Sequence, residues 1–339
     1  MSWRAPWELS TRLFQEHPIR SSIVCTAIVG ERCVVNMTAP LFTIIIATYE
    51  RCDSLHRLLG SIAEHFGSSD VAHEVIVANN ARDERISARV SQIVQELRQR
   101  QGDYFRQVWE PAAGKCRAQN KAIGEARGSI LAFFDDDVVV APGWLSAANE
   151  FFRDQAHDAM QGPILCPPEM VNDKELKRAL HEFRTIDFVQ YPPTLKELES
   201  LTGANMAIRK EVFFRIGYFN EKLGPGRSGM SEDVEFAKRL RQGGGTIGYV
   251  HQAAVYHEID WARLTEEFFR KRHEQQGRSR LIYKKQFLVS IVPNLVRAMW
   301  TFGWYSLMGN VRKQYRAKGR YFHYRAMLLE KIGSTARCF

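Results

Sequence analysis

A chain of 339 residues with 45% apolar and 25% charged side chains has an ordinary globular composition, which excludes a disordered, collagenous or disulfide-stapled polypeptide. At roughly 150 residues per domain it has room for about two domains and a full core. The 47 basic and 38 acidic side chains leave a formal +9, and the excess is concentrated at one end: residues 261–339 hold 17 Lys and Arg against 4 Asp and Glu, a net of +13. Residues 1–260 hold 30 against 34, a net of −4. A cationic C-terminal module on a mildly acidic body points to phosphates, either on nucleic acid or on an anionic membrane surface.

In chain order, residues 1–40 form an N-terminal extension that Trp3 and Trp7 could anchor, and its apolar run at 23–29 is too short to span a bilayer. The first twenty residues lack the apolar stretch of a signal peptide. Cys25, Cys33, Cys52, Cys116, Cys166 and Cys338 show no CxxC pair and no metal-ligand rhythm, so a reducing, cytoplasmic setting without disulfides is expected. Residues 41–48 (LFTIIIAT) form the β-branched run of a strand buried on both faces of a parallel sheet. A helix is predicted to follow, capped by Asp53 and running through His65, with Leu55, Leu58, Leu59, Ile62 and Phe66 at three- and four-residue steps. Residues 74–78 read as a second strand, 86–100 as a helix, 105–109 as a third strand, and 118–127 as a helix closed by Gly128. Residues 130–134 are another buried strand, which runs straight into Asp135-Asp136-Asp137. This alternation predicts an α/β fold with a mostly parallel central sheet flanked by helices. Short strands are then expected at 161–166, 204–208 and 246–251, with helices around 210–216 and 231–242. Beyond Trp261 the chain is expected to be helical.

The three aspartates are the most informative feature. Adjacent carboxylates beside a core repel one another and are costly to desolvate. A hard divalent cation, Mg²⁺ or Mn²⁺, makes such a group tolerable by bridging one or two carboxylates to substrate phosphates. The position also fits a ligand site, because open α/β sheets bind ligands at the C-terminal ends of their strands. The alternative is a turn or helix cap with three solvated acids.

The surroundings distinguish these readings. Residues 44–51 (IIIATYER), 75–83 (VIVANNARD), 114–128 (GKCRAQNKAIGEARG) and 130–137 (ILAFFDDD) resemble, in order, the motifs of the inverting family 2 nucleotide-sugar glycosyltransferases. Residues 142–145 (PGWL), 202–209 (TGANMAIR), 216–220 (IGYFN) and 232–240 (EDVEFAKRL) continue the series. The resemblance spans roughly residues 41–257 and implies a GT-A type nucleotide-diphospho-sugar transferase fold with a C-terminal helical extension. The domains it implies are the extension over 1–40, a catalytic domain over 41–260 and a basic helical module over 261–339.

By this resemblance Thr48, Tyr49, Glu50 and Arg51 surround the nucleotide, and Lys115 and Asn120 lie on the donor side. Asn79 stands where the family usually has a base-binding aspartate; its amide oxygen still accepts a hydrogen bond, but without charge, so the base stays open. Asp135 faces the ribose and is also a candidate metal ligand beside Asp137, which binds the metal, with Asp136 as donor contact or further ligand. His257 occupies the place of an additional metal ligand, and imidazole suits Mn²⁺; a structural histidine is the other reading. Glu232 and Asp233 open a helix, where acids also favour the helix dipole. The resemblance places Glu232 and Asp233 together as the catalytic acids, with Asp233 the general base that deprotonates an acceptor hydroxyl and Gly203, Ala204 and Asn205 shaping the acceptor side. The expected reaction is metal-dependent sugar transfer from a nucleoside diphosphate to a hydroxyl of a glycan or lipid-linked acceptor, with inversion.

The basic module contains an apolar stretch at 286–310 interrupted by Pro293, Asn294 and Arg297. An arginine at mid-bilayer costs about 2.5–3.5 kcal/mol on insertion scales. Ser290, Asn294, Arg297 and Thr301 form one narrow polar stripe, and Trp300, Phe302 and Trp304 lie on a wide apolar face. A helix lying in the interface of an anionic membrane, peripheral on its inner face, is therefore expected. Packing on the body or on a second subunit is the alternative, and a true span is a third reading. Two other functions fit parts of the sequence. A nucleotidyltransferase also pairs acids with Mg²⁺, but residues 47–50 (ATYE) are not the glycine-rich phosphate cradle it needs. A nucleic-acid-binding protein would use the basic tail and be indifferent to Asp137; with the charge partitioned as it is, no nucleic acid partner is expected.

Overall fold

β-Branched, apolar segments alternate with amphipathic helices through the first half of the computed structural model, which describes residues 41–154 and 156–336. The N-terminal extension with Trp3, Trp7, Cys25 and Cys33, its apolar run at 23–29, and Cys338 lie outside the described residues. β1 (Phe42–Thr48), α1 (Cys52–Phe66), β2 (His73–Asn79), α2 (Glu84–Gln101), β3 (Phe105–Trp109), α3 (Lys115–Glu125) and β4 (Ile130–Asp135) follow in order. Next come β5 (Val138–Val140), α4 (Trp144–Phe152), β6 (Ala159–Gln161), β7 (Ile164–Leu165), α5 (Lys174–Glu182), β8 (Asn205–Arg209), α6 (Lys210–Ile216), α7 (Glu232–Gln242), β9 (Ile247–Tyr249) and β10 (Val255–His257). A 3₁₀ turn at Trp261–Arg263 leads into α8 (Glu266–Tyr283), α9 (Leu288–Leu307) and α10 (Val311–Ala336).

The seven-stranded sheet has the order β3-β2-β1-β4-β8-β6-β9. β3, β2, β1 and β4 are mutually parallel, and β8 runs antiparallel to β4 and β6. β1 is buried on both faces because helices cover both. Phe42, Ile44 and Ile46 pack with Leu55 of α1, Ile93 of α2 and Trp144 of α4. Ile45 faces the opposite core with Ala118 of α3, Phe213 of α6 and Phe236 of α7. The order reverses at β1, whose neighbours are β2 and β4, so a crevice opens at the carboxyl ends of these strands. A small second sheet, β5-β10-β7, lies beside that crevice and pairs His257 with Val138.

Several local expectations are corrected. Asp53 is not the cap of α1; Arg51 holds that position without a side-chain cap bond, and Asp53 lies in the first turn. Gly128 does not close α3, which ends at Ala126. It lies against β1 instead, where a Cβ would come within 2.6 Å of the Thr43 nitrogen, and its N–H donates to Thr43 Oγ1 at 2.9 Å. The strand expected at 161–166 is two short strands in different sheets. Helix α5 lies inside the region expected to hold short strands, and α4 precedes it. Among the described residues Cys52, Cys116 and Cys166 are free thiols.

The helical end is built on α10, which packs against α8 and α9 and touches α5. Ile291 and Ala298 are buried on the inner side of α9. The polar stripe of α9 is satisfied along the helix itself: Asn294 Nδ2 donates to the Ser290 carbonyl, Arg297 to Asn294 Oδ1, and Thr301 Oγ1 to the Arg297 carbonyl. No helix among the described residues is long and apolar enough to cross a membrane.

Candidate active site

The register of the sheet assembles the site. Ala47 pairs with Asp135 and Thr48 with Asn79, so the ends of β1, β2 and β4 are level and the segments leaving them share one cleft of about 550 Å³. Thr48, Tyr49, Glu50, Arg51, Lys115 and all three aspartates line it. Thr48 Oγ1 donates to Asp136 Oδ2 at 2.8 Å, and the Arg51 guanidinium bridges Asp136 and Asp137. Burial, reinforced by the neighbouring Asp137 charge, pushes the Asp136 carboxyl up to about 6 against the opposing pull of Arg51.

On the other lip, Lys115 opens α3 and reaches two acids that are far apart in the chain. Its Nζ lies 2.5 Å from Asp135 Oδ1 and 3.1 Å from Glu232 Oε1. Burial opposes the ammonium charge, but these two carboxylates outweigh it and hold Lys115 well above its usual range; Lys115 in turn keeps Asp135 low against its own burial. Asp233 lies next to this bridge, and its Oδ2 accepts the Gly203 N–H at 2.9 Å. Burial, then the Glu232 charge, drives the Asp233 carboxyl up to about 7. The residue before them, Ser231, adopts a left-handed conformation (φ 74°), uncommon for a side chain other than glycine and placed where α7 must aim its first two acids.

His257 is not part of the cleft lining but is carried beside Asp137 by β10, through its pairing with β5. Its Nδ1 lies 2.7 Å from the Glu258 carbonyl oxygen, which can only accept, so Nδ1 carries a proton and Nε2 is the ring nitrogen turned to Asp137. Nε2 is 3.7 Å from Asp137 Oδ1. One carboxylate oxygen and one correctly oriented imidazole nitrogen are suitable ligands for Mn²⁺, and a backbone carbonyl fixing the ring is the usual support for such a ligand. Among the described residues no group of three or more His, Cys, Asp or Glu forms a ready-made cage. The pair therefore fits an ion that completes its shell with substrate phosphates and water.

Glu232, Asp233 and His257 are not in the cleft lining, and neither are the remaining expected residues. Asn79 is fully buried; its Nδ2 donates to Ser87 Oγ and its Oδ1 accepts the Ala81 N–H, leaving little to offer a base. Asn120 exchanges two hydrogen bonds with the backbone of Phe219. Asn205 is also fully buried: Oδ1 accepts from Trp144 Nε1, and Nδ2 donates to the carbonyls of Pro163 and Ala253. Ala204 is buried in the core, so of the three residues expected on the acceptor side only Gly203 borders Asp233.

Several lining residues carry no sequence expectation as site residues, Asn80, Arg82, Gly226 and Arg263 among them. Asn80 lines the cleft and accepts the Gly114 N–H at 3.0 Å, which fixes the loop entering α3. Arg263 donates to Asp137 Oδ2 at 3.1 Å, and its Nε is buried without a hydrogen bond. Its charge was pooled with the basic tail. The signal was its place in a short turn after His257, begun by Asp260, whose carboxylate accepts the Ala262 N–H.

The sheet with its switch-point crevice, the carboxylates at the end of β4 and the opposed acids of α7 define a GT-A type nucleotide-sugar transferase. The model of the family described as "Glycosyltransferase like family 2" matches residues 39–279, and the chain belongs to that family of enzymes. It is similar to the succinoglycan biosynthesis protein ExoM of Rhizobium meliloti (strain 1021), with 29% identity over 71% of this chain and 74% of ExoM. It is also similar to the chondroitin synthase of Escherichia coli, with 24% identity over 64% of this chain but only 34% of that protein. In fold it resembles a mannosyltransferase, PcManGT from Pyrobaculum calidifontis, solved in complex with GDP-Man and Mn²⁺. The TM-score is 0.57, with 16% identity over 87% of this chain and 88% of that one.

Proposed function

We propose that the enzyme transfers a sugar from a nucleoside diphosphate, with metal assistance and inversion, to a hydroxyl of a glycan or lipid-linked acceptor. The observation that carries this reading is the Lys115 bridge: one ammonium touches Asp135 on the β4 side and Glu232 on the α7 side, which brings Asp233 into the same site as Asp137. Asp137 and His257 would hold the ion, with Asp135 and Asp136 available on the same edge. A divalent ion there would offset the charge developing on the departing diphosphate. Arg51 and Arg263, both on Asp137, line the same cleft and could meet that charge. Asp233 would take the proton of the acceptor hydroxyl as it attacks the anomeric carbon from the opposite face, which inverts that centre without an enzyme nucleophile. The similarity to a succinoglycan biosynthesis protein supports a polysaccharide as the acceptor class.

Thermal shift with a panel of nucleotide sugars tests the donor site. One donor is expected to raise Tm more with Mn²⁺ than without, and Asp137→Ala is expected to abolish the Mn²⁺-dependent part. An equal Mn²⁺ effect in the variant would remove Asp137 from the metal site.

The proposed domains are a catalytic body over 41–260 and a basic module over 261–339 that rests peripherally on the cytoplasmic face of an anionic membrane. What supports the membrane contact is the outer face of α9: Val289, Trp300 and Leu307 are 83%, 68% and 86% exposed, and Val292, Val296, Met299 and Trp304 complete an apolar stripe between them. Sedimentation with vesicles containing phosphatidylglycerol is expected to fall at least tenfold in Val296→Asp/Trp300→Asp. Unchanged sedimentation would sink the membrane contact and leave the transfer reaction untouched.

A further inference from the structure

A second concave site lies in the helical end, away from the sheet. A groove of about 480 Å³ runs between α8, α10 and the segment after α5. Five arginines line it: Arg184 from the α5 side, Arg280 from α8, and Arg312, Arg316 and Arg320 from α10. The helical spacing is regular. Phe269, His273, Gln276 and Arg280 share one face of α8, and the three α10 arginines recur every four residues. Two glycines set the helices close enough to form a floor. A Cβ on Gly277 would meet the His323 carbonyl oxygen at 2.3 Å, and one on Gly319 would meet His273 Nε2 at 2.5 Å.

Charge is unbalanced in this groove. Among the described residues none of the five arginines forms an ion pair, whereas the acids nearby are taken: Glu266 by Lys318, and Glu274 by Arg278 and Arg325. The one carboxylate in the lining, Glu182, faces Arg178 at 4.0 Å. The two floor histidines are pushed down to about 4, His273 by burial and then the charge of Arg272, His323 by burial and then the charge of Arg280. At neutral pH they are therefore uncharged.

We infer that this groove binds a phosphate or diphosphate group through the guanidinium groups of Arg184, Arg280, Arg312, Arg316 and Arg320, all of which line it. Guanidinium forks match phosphate oxygens two at a time, and several forks around one concavity hold such a group from more than one side. Polynucleotide fits less well, because this charge is gathered in one recess between helices. Phe183, Tyr315 and Tyr324 at its walls leave an apolar border for whatever the phosphate is attached to. The inference does not depend on the transfer reaction. The phosphate has two sources, a soluble phosphorylated compound or the headgroup of a lipid, the second being within reach if α9 lies on a membrane.

The test uses the full chain with labelled histidine rings, so that His273 and His323 report the groove while the donor cleft is read separately. Sodium pyrophosphate is expected to move both resonances. Arg316→Gln/Arg320→Gln is expected to need at least about tenfold more pyrophosphate, with its affinity for a nucleoside diphosphate in the cleft within twofold of the parent. If that variant does not fold, Arg280→Gln/Arg312→Gln serves in its place. Vesicles of phosphatidic acid that move the resonances where phosphatidylcholine does not would assign the lipid source; a response to pyrophosphate alone would assign the soluble one. Resonances unmoved by pyrophosphate and by phosphatidic acid, moved only by an oligonucleotide, or moved equally in parent and variant, would overturn the inference.

Discussion

Asp233→Asn is expected to bind the nucleotide sugar as tightly as the parent and to lose roughly 10²- to 10⁴-fold in kcat, the usual contribution of a positioned general base. The side chains are nearly isosteric, and the amide oxygen of the variant can still accept the Gly203 N–H that holds Asp233 Oδ2 at 2.9 Å. What disappears is basicity, together with the Val234 N–H bond that Oδ1 accepts in the parent. A variant that keeps its turnover would take Asp233 out of the reaction. The parent should also show a distinctive pH dependence. The buried carboxyl sits near 7, so the free enzyme's kcat/KM is expected to rise with pH and level off above about 7, and the Asn variant should lack that rise. The effect on stability has the opposite sign. A carboxyl whose pKa is about 7 when folded and 3.8 when unfolded binds more protons in the folded state between those values, so it favours folding at low pH and that contribution is lost as pH rises through 7. The same carboxylate that becomes competent as a base is the one the fold holds at greatest cost.

Lys115→Met is expected to be severely destabilising. The ammonium is the shared counter-charge of Asp135 and Glu232 and also acts on Asp233, so removing it leaves three acids in a largely desolvated pocket. Breaking one partner out of a buried ion pair costs about 3–5 kcal/mol. Urea unfolding at pH 7.5 should show a loss of that order, and it should shrink as the pH is lowered and the stranded carboxylates take up protons. Lys115→Arg should recover little, because the ammonium sits only 3.2 Å from where a Cβ on Gly203 would lie, leaving scant space for a fork. A variant as stable as the parent would mean that the bridge is incidental and would weaken the case for one shared site.

How much of this was legible in the sequence depended on which kind of signal a residue carries. Strands buried on both faces announce themselves: 41–48 and 130–134 are β-branched or aromatic runs with no polar alternation, and both became strands of the parallel core. The aspartate triplet was visible because a carboxylate cluster at a strand end needs a reason. Asn79, Asn120 and Asn205 were harder, since an amide at a motif position looks the same whether it faces a ligand or ties two backbone segments together. Only the partner list separates the two, and all three tie. The short strands and helices between 138 and 182 carry too few residues for periodicity to declare itself. Gly128 looked like a helix cap because position alone cannot tell a helix stop from a close approach of two backbones. Arg263 was obscured by averaging, counted among 17 basic residues of which it is the one that reaches Asp137.

That arginine bears on how relatives of this enzyme can be recombined. Composition changes at Trp261, and a chimaera joined there would exchange C-terminal helices while appearing to leave the cleft whole. It would in fact bring a foreign residue against Asp137 in place of the Arg263 guanidinium. It would also replace the α8 serine, Ser279, whose hydroxyl donates to Ser228 Oγ, in the segment before α7, at 2.8 Å. The seam that preserves the cleft lies beyond Tyr283, so the first helix of the basic end travels with the body, and only α9 and α10 are free to be traded.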